Sequence, residues 1–139
     1  MAETLTPDWL VDAGPLIALV RKTDRDHAVC VKQAASLRSP LATTWPVITE
    51  AVHVLGTLRE QDAVLDMIER SALRILPLDA GDVPRIRSLM RKYGSRPMDL
   101  ADATLVRAAE RDGFHQIFTL DKDFRIYRLG RNRPFTTVP

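Results

Sequence analysis

The chemistry in this chain starts with its carboxylates. The run Met98-Asp99-Leu100-Ala101-Asp102-Ala103-Thr104-Leu105-Val106 reads as the opening of a helix. Asp99 stands at a plausible N-cap, and Asp102 follows three residues later, as in a capping box. On a helical wheel, however, Asp102 lies between Val106 and Ala109 with Leu105 beside it, on the apolar side of its own helix. A carboxylate is costly to bury there without a cation or hydrogen-bond donors. Asp99 adds like-charge repulsion that a bound cation relieves. The pattern therefore points to a metal and to further acidic ligands.

Three more acids sit at comparable places. Asp12 ends the apolar run Trp9-Leu10-Val11. Glu50 lies one turn into a helix that follows a short strand. Asp121 ends the β-rich run Gln116-Ile117-Phe118-Thr119-Leu120, with Asp123 two residues on. If the strands are parallel, Asp12, Glu50, Asp102 and Asp121 all map to one edge of a sheet, the edge where ligands bind in open α/β folds. Oxygen donors without a Cys/His cluster select Mg²⁺ or Mn²⁺ over a structural zinc. Such a pocket suits phosphodiester hydrolysis, where a cation orients a water and neutralises charge building on the phosphate. His27, His53 and His115 have no ligand spacing, and neither a Ser-His-Asp set nor a glycine-rich phosphate loop is present.

Basic residues flank these acids. Arg85, Arg87, Arg91, Lys92 and Arg96 precede the acidic helix, and Arg125, Arg128, Arg131 and Arg133 follow Asp121. Arg96, Arg125 and Arg128 are candidate contacts to an RNA or DNA backbone, and Tyr127 is a candidate for stacking on a base. A merely solvated surface, or a patch for an acidic partner protein, is the alternative reading.

Strands alternating with helices must position these groups. Trp9–Val11 is the first strand, and Gly14-Pro15 turns the chain into a helix near Leu16. Thr23–Ser39 reads as a helix with Val29, Ala34 and Leu37 inward and His27 exposed in its first turn. Leu41–Thr44 is a second strand, and Pro46 opens a helix with Val47, Ile48, Ala51, Val52 and Leu55 inward and His53 solvated. Glu60–Ser71 is a helix with Val64, Leu65 and Ile68 inward. Leu73–Leu76 is a strand, Asp79–Tyr93 a helix, Gly113 a helix C-cap, and Phe135–Val138 a last edge strand. The fold class is α/β, a parallel sheet of four to five strands flanked by helices on both faces.

The 139 residues suffice for one domain, 1–139, and at 45% apolar and 27% charged the chain is globular. Twenty basic and eighteen acidic residues give a net charge of +2, compatible with a nucleic-acid partner. The single Cys30, set among Ala28, Val29 and Val31, reads as a buried thiol and fits a reducing compartment. Residues 1–7 carry no apolar run, so no signal peptide is expected, and no segment is long and apolar enough for a membrane span. A cytoplasmic location follows as an expectation.

With these residues in place, the sequence resembles the PIN-domain family, and within it the VapC-type toxin nucleases of bacterial toxin–antitoxin pairs. The resemblance rests on Val11-Asp12-Ala13-Gly14-Pro15-Leu16-Ile17, Thr49-Glu50-Ala51, Leu100-Ala101-Asp102-Ala103 and Thr119-Leu120-Asp121-Lys122-Asp123-Phe124. It implies a Rossmann-like fold and a Mg²⁺- or Mn²⁺-dependent endoribonuclease. Asp12, Glu50, Asp102 and Asp121 would be the catalytic metal-site carboxylates, with Asp99 and Asp123 as auxiliaries. Which of Asp121 and Asp123 serves the metal stays open. Thr119 would orient a carboxylate or water. The resemblance also implies an RNA substrate, a homodimer and a cognate antitoxin protein. A housekeeping PIN nuclease fits the same motifs, as does a catalytically silent PIN-like binding module. A phosphoacceptor domain or a D-x-D phosphatase fits less well, because Ala13 and Gly14 follow Asp12.

Overall fold

The computed structural model describes residues 6–139. Five short parallel strands form the sheet: β1 (Trp9–Val11), β2 (Leu41–Thr43), β3 (Leu73–Ile75), β4 (Gln116–Phe118) and, at the edge, a C-terminal strand (Thr136–Val138). Their order is β3-β2-β1-β4 and then the C-terminal strand, with every pairing parallel. Six helices flank them: α1 (Ala13–Val20), α2 (His27–Leu37), α3 (Trp45–Leu55), α4 (Leu58–Glu69), α5 (Val83–Lys92) and α6 (Leu100–Asp112). Between β4 and the edge strand, a two-stranded antiparallel ribbon pairs Arg128–Leu129 with Arg133–Pro134.

The central strands β1, β2 and β4 persist at this length because they carry almost no water-facing surface. Leu10, Val11, Ala42, Ile117 and Phe118 are fully buried, the continuous apolar pattern of a parallel sheet covered by helices. Helix α6 supplies much of that cover through Ala103, Leu105, Val106 and Ala108. The order of strands reverses direction at β1 and β4. The crevice beyond their carboxyl ends is thus the switch point where α/β sheets bind ligands.

The α/β parallel sheet and its five strands agree with the sequence reading, and several details differ. Helix α2 begins at His27, not Thr23, because the Asp24 carboxylate accepts the Asp26 N–H at 2.8 Å and holds a turn there. His27 is half-buried, with Nδ1 2.6 Å from the Ala18 carbonyl, so it is not an exposed first-turn residue. On the same helix Val29 faces solvent and Cys30 takes the inward place. Burial pushes the Cys30 thiol up to about 11, which leaves it protonated and inert. Leu65 of α4 is likewise exposed, while Val64 is buried. The expected helix Asp79–Tyr93 is divided, with a 3₁₀ turn over Ala80–Asp82 ahead of α5. Among the described residues no helix is long and apolar enough to cross a membrane. The leader expectation rests mostly on residues 1–5, outside the described residues.

The division at Asp82 has a cause. Its buried carboxylate accepts the Asp79 N–H at 2.9 Å, Nε of Arg107 at 2.7 Å and Nη1 of Arg111 at 3.2 Å. The Asp79 N–H and the Arg107 guanidinium hold this carboxyl below its ordinary pKa. Asp82 therefore ties the start of α5 to α6. Asp82→Ala is expected to lower stability by about 2 kcal/mol at neutral pH, from the loss of charge-assisted hydrogen bonds. Urea unfolding checks this, and the difference should shrink in acid, where the wild-type carboxyl is itself protonated.

Candidate metal centre

Three chain segments bring their acids to the switch point. Asp12 follows β1 directly, and its backbone N–H donates to the Phe118 carbonyl at 3.0 Å, locking it beside β4. Its extended backbone makes it the N-cap of α1. Oδ1 accepts the Ala13 N–H at 2.8 Å, and Oδ2 accepts the Thr119 hydroxyl at 2.9 Å. Next door, the Thr43 hydroxyl donates to the Val11 carbonyl at 2.8 Å and braces the end of the strand.

Asp102 enters from α6 through a reciprocal capping box. Asp99 Oδ1 accepts the Asp102 N–H at 2.8 Å, and Asp102 Oδ2 accepts the Asp99 N–H at 3.4 Å. The same Oδ2 accepts the Tyr127 hydroxyl at 3.2 Å. Capping and clustering therefore coexist: the box sets the carboxylate's direction, and the helix start delivers it to the crevice.

Asp121 comes from the turn after β4. Oδ1 accepts the Asp123 N–H at 2.9 Å, and the Asp121 N–H donates to Thr119 Oγ1 at 3.0 Å. Thr119 thus donates to Asp12 and accepts from Asp121, which couples the two acidic loops through a single hydroxyl.

One carboxylate oxygen from each of Asp12, Asp102 and Asp121 lies within 4.8 Å of the others. Glu50, on α3, and Asp99 line the same cavity of about 290 Å³ but stand outside this trio. Asp123 faces Arg96, with Nη1 3.4 Å from Oδ1. Of the two acids after β4, it is Asp121 that the structure brings to the cluster.

The electrostatics call for a positive charge. Among the described residues no Lys or Arg forms an ion pair with Asp12, Asp102 or Asp121. Burial raises the Asp12 carboxyl to about 6 despite the donors from Ala13 and Thr119. Burial and then the charge of Asp12 raise the Asp102 carboxyl to about 8. Glu50 is raised as well, first by burial and then by Asp99. A site that resists ionisation in this way takes up either protons or a cation. The donors are all carboxylate oxygens, and that set fits a hard divalent ion.

The aromatic and basic candidates divide. Tyr127, expected to stack on a base, is fully buried, packed edge-on at 5.0 Å between ring centroids against both Tyr93 and Phe124. Its hydroxyl pKa is raised by burial and by Asp102, so it stays a donor to that carboxylate. Arg85 is engaged with Glu110 through two 2.8 Å bonds and does not face the crevice as a spare cation. Nη1 of Arg128 is spent on the carbonyls of Arg125, Ile126 and Tyr127, at 2.8, 3.1 and 3.2 Å. Arg125 is exposed and, among the described residues, has no ion-pair partner. It shares a cavity with Asp121 and Lys122.

Two residues position carboxylates without belonging to the trio, and Tyr127 had no local signal that distinguished this role. Thr119→Val and Tyr127→Phe are each expected to weaken divalent-ion affinity by about 10–100-fold, as losses of orienting hydrogen bonds do. Titration of Mn²⁺ by calorimetry measures this.

A family profile described as PIN domain matches residues 9–129. No curated protein sequence matches the chain. Among solved structures, the chain is similar to VapC20 of Mycobacterium tuberculosis, described as a sarcin–ricin loop cleaving toxin. That match has a TM-score of 0.80 and 20% identity, and covers 91% of this chain and 99% of that one. It is also similar to VapBC2 of Rickettsia felis bound to a DNA fragment from its promoter, with a TM-score of 0.63 and 14% identity over 94% of this chain and 98% of that one. A third is FitAcB of Neisseria gonorrhoeae, with a TM-score of 0.52 and 22% identity over 81% and 87%. At these identities the likeness is one of fold.

Proposed function

The chain belongs to the PIN domain family, and from that premise we propose that it is a metal-dependent endoribonuclease, the toxin of a bacterial toxin–antitoxin pair. The observation that carries this reading is the meeting of Asp12, Asp102 and Asp121 at the switch point, one oxygen of each within 4.8 Å of the others. Those three carboxylates would hold Mg²⁺ or Mn²⁺. Glu50 and Asp99, which line the same cavity, would add negative charge for the ion and hydrogen-bond acceptors for a water beside it. Asp123 supports Asp121 through its backbone N–H. When bound, the ion supplies positive charge beside the scissile phosphate and lowers the pKa of a water. Thr119 and Tyr127 keep the carboxylates aimed, and Arg125, exposed in the cavity it shares with Asp121, meets the RNA backbone.

The sequence motifs support the toxin assignment, as does the likeness to VapC20, which is described as a sarcin–ricin loop cleaving toxin. The likeness to VapBC2 and FitAcB supports a cognate antitoxin as partner. A homodimer, a cytoplasmic location and a single domain over 1–139 complete the reading. All three clustered carboxylates are present, which disfavours a silent binding module.

The test is incubation of the purified chain, freed of any co-purified protein, with structured RNAs and Mg²⁺ or Mn²⁺. Cleavage that EDTA stops, and that either ion restores, is the expected result. Cleavage untouched by EDTA overturns the metal assignment. Mn²⁺ binding without cleavage of any RNA favours the silent module.

A further inference from the structure

Three cavities adjoin along the carboxyl edge of the sheet, and their linings change character in order. The middle one holds the carboxylates. Leu120 and Asp121 also line a neighbour of about 180 Å³ where Lys122 and Arg125 stand. Glu50 and Asp99 also line a third cavity, of about 640 Å³, walled by Trp45, Pro46, Leu100 and Ala101. Trp45 is 53% exposed and Leu100 52%. Trp45 is the first residue of α3 and Leu100 the first of α6, so both apolar side chains open the same helices that carry Glu50 and Asp102. Large apolar groups left in water beside a charged site mark a surface that something covers.

Basic, acidic and aromatic compartments in a row match a single-stranded nucleic acid, in which phosphates alternate with flat bases. This inference rests on the ribonuclease reading above. We propose that Trp45 stacks an unpaired base of the nucleotide next to the scissile phosphate, with Leu100 in the same wall, while Lys122 and Arg125 hold a backbone phosphate on the other side. The chain therefore cuts beside a nucleotide that is out of the helix. A base inside a duplex has both faces covered by its neighbours, whereas a loop base offers a face to an indole. Stacking tolerates any base, because every base has a π-face, so the preference is for unpaired structure over sequence. An apolar side chain of a protein partner would also fill the aromatic cavity, but it makes no use of the basic one across the carboxylates.

The experiment measures binding apart from cleavage. The probe is a short mixed-sequence single-stranded RNA with phosphorothioate linkages, followed by anisotropy in Mg²⁺, against the same RNA annealed to its complement. Trp45→Ala is expected to weaken binding of the single strand about tenfold or more and the duplex hardly at all, while Trp45→Phe keeps most of the affinity. An abasic nucleotide at one position of the probe should cost wild type the same loss and cost Trp45→Ala nothing further. Because Trp45 is exposed, melting curves of the variants should overlay the wild type, which separates a stacking loss from misfolding.

Equal affinity of wild type and Trp45→Ala for the single strand overturns the proposal and leaves the aromatic cavity to a protein partner. Duplex bound as tightly as single strand overturns it too. If metal-dependent cleavage persists in either case, the nuclease reading stands without the stacking subsite. If wild type neither binds nor cleaves RNA, both fall together.

Discussion

Asp12→Asn and Asp102→Asn are each expected to lower metal-dependent RNA cleavage by on the order of 10³-fold, about 4 kcal/mol of barrier. The size follows from what each carboxylate does. Asp12 and Asp102 are the buried members of a trio whose oxygens lie within 4.8 Å of one another. An amide in place of either removes a negative donor and turns part of the cavity wall into a weak neutral ligand. The folded state should survive. In Asp12→Asn the amide oxygen can still accept the Ala13 N–H, and in Asp102→Asn it can still accept the Asp99 N–H. Single-turnover cleavage at saturating Mn²⁺ gives the number. A loss under tenfold in both variants, with normal melting curves, would mean that the chemistry lies elsewhere.

The second large effect is a reversal of pH dependence by metal. Asp12 and Asp102 are raised from an ordinary value of 3.8 to about 6 and about 8, by burial and by their neighbours' charges. The metal-free native state therefore holds protons that the unfolded chain has already lost. Where the native state binds more protons, stability falls as pH rises. The metal-free chain is then most stable in weak acid and loses stability from about pH 4 to about pH 8. Saturation with Mn²⁺ should reverse the trend near neutrality, because the ion binds the ionised carboxylates and a hundredfold excess over Kd adds about 2.7 kcal/mol. Melting in EDTA and in Mn²⁺ across that range checks both signs. Asp102→Asn should flatten the EDTA curve and raise its Tm at pH 8. A metal-free Tm that climbs from pH 5 to pH 8 would refute the account.

What could be read from sequence was what depends on near neighbours. The Asp99–Asp102 box is a three-residue relation, and Asp12 ends an apolar run that the Gly14-Pro15 turn marks as a strand, so both were legible. The shared edge of Asp12, Asp102 and Asp121 followed from strand–helix alternation, since a parallel sheet puts every strand's end on one side. Glu50 was legible as a resident of that edge but not its distance from the trio, which depends on how α3 packs. Side-chain pairings across the fold were not legible. Arg85 reads as a free cation until Glu110, twenty-five residues later, is seen to take both its bonds. Tyr127 among arginines looks the same in sequence whether it stacks on a base or, as here, lies under the site as a donor to Asp102. Val29 and Leu65 fit a helical stripe, yet α2 and α4 are covered on narrower faces than the period alone implies.

Each carboxylate of the trio also answers a backbone N–H at the start of the element it precedes or opens: Ala13 for Asp12, Asp99 for Asp102 and Asp123 for Asp121. Asparagine performs that local task nearly as well and brings no charge into the crevice. In the genetic code one base separates the two residues. A lineage released from selection for cleavage can therefore shed its catalysis in a single mutational step and keep, or even firm up, its architecture. Descendants that bind without cutting are close at hand in sequence space, and a missing acid at position 12, 102 or 121 is the mark by which they would be recognised.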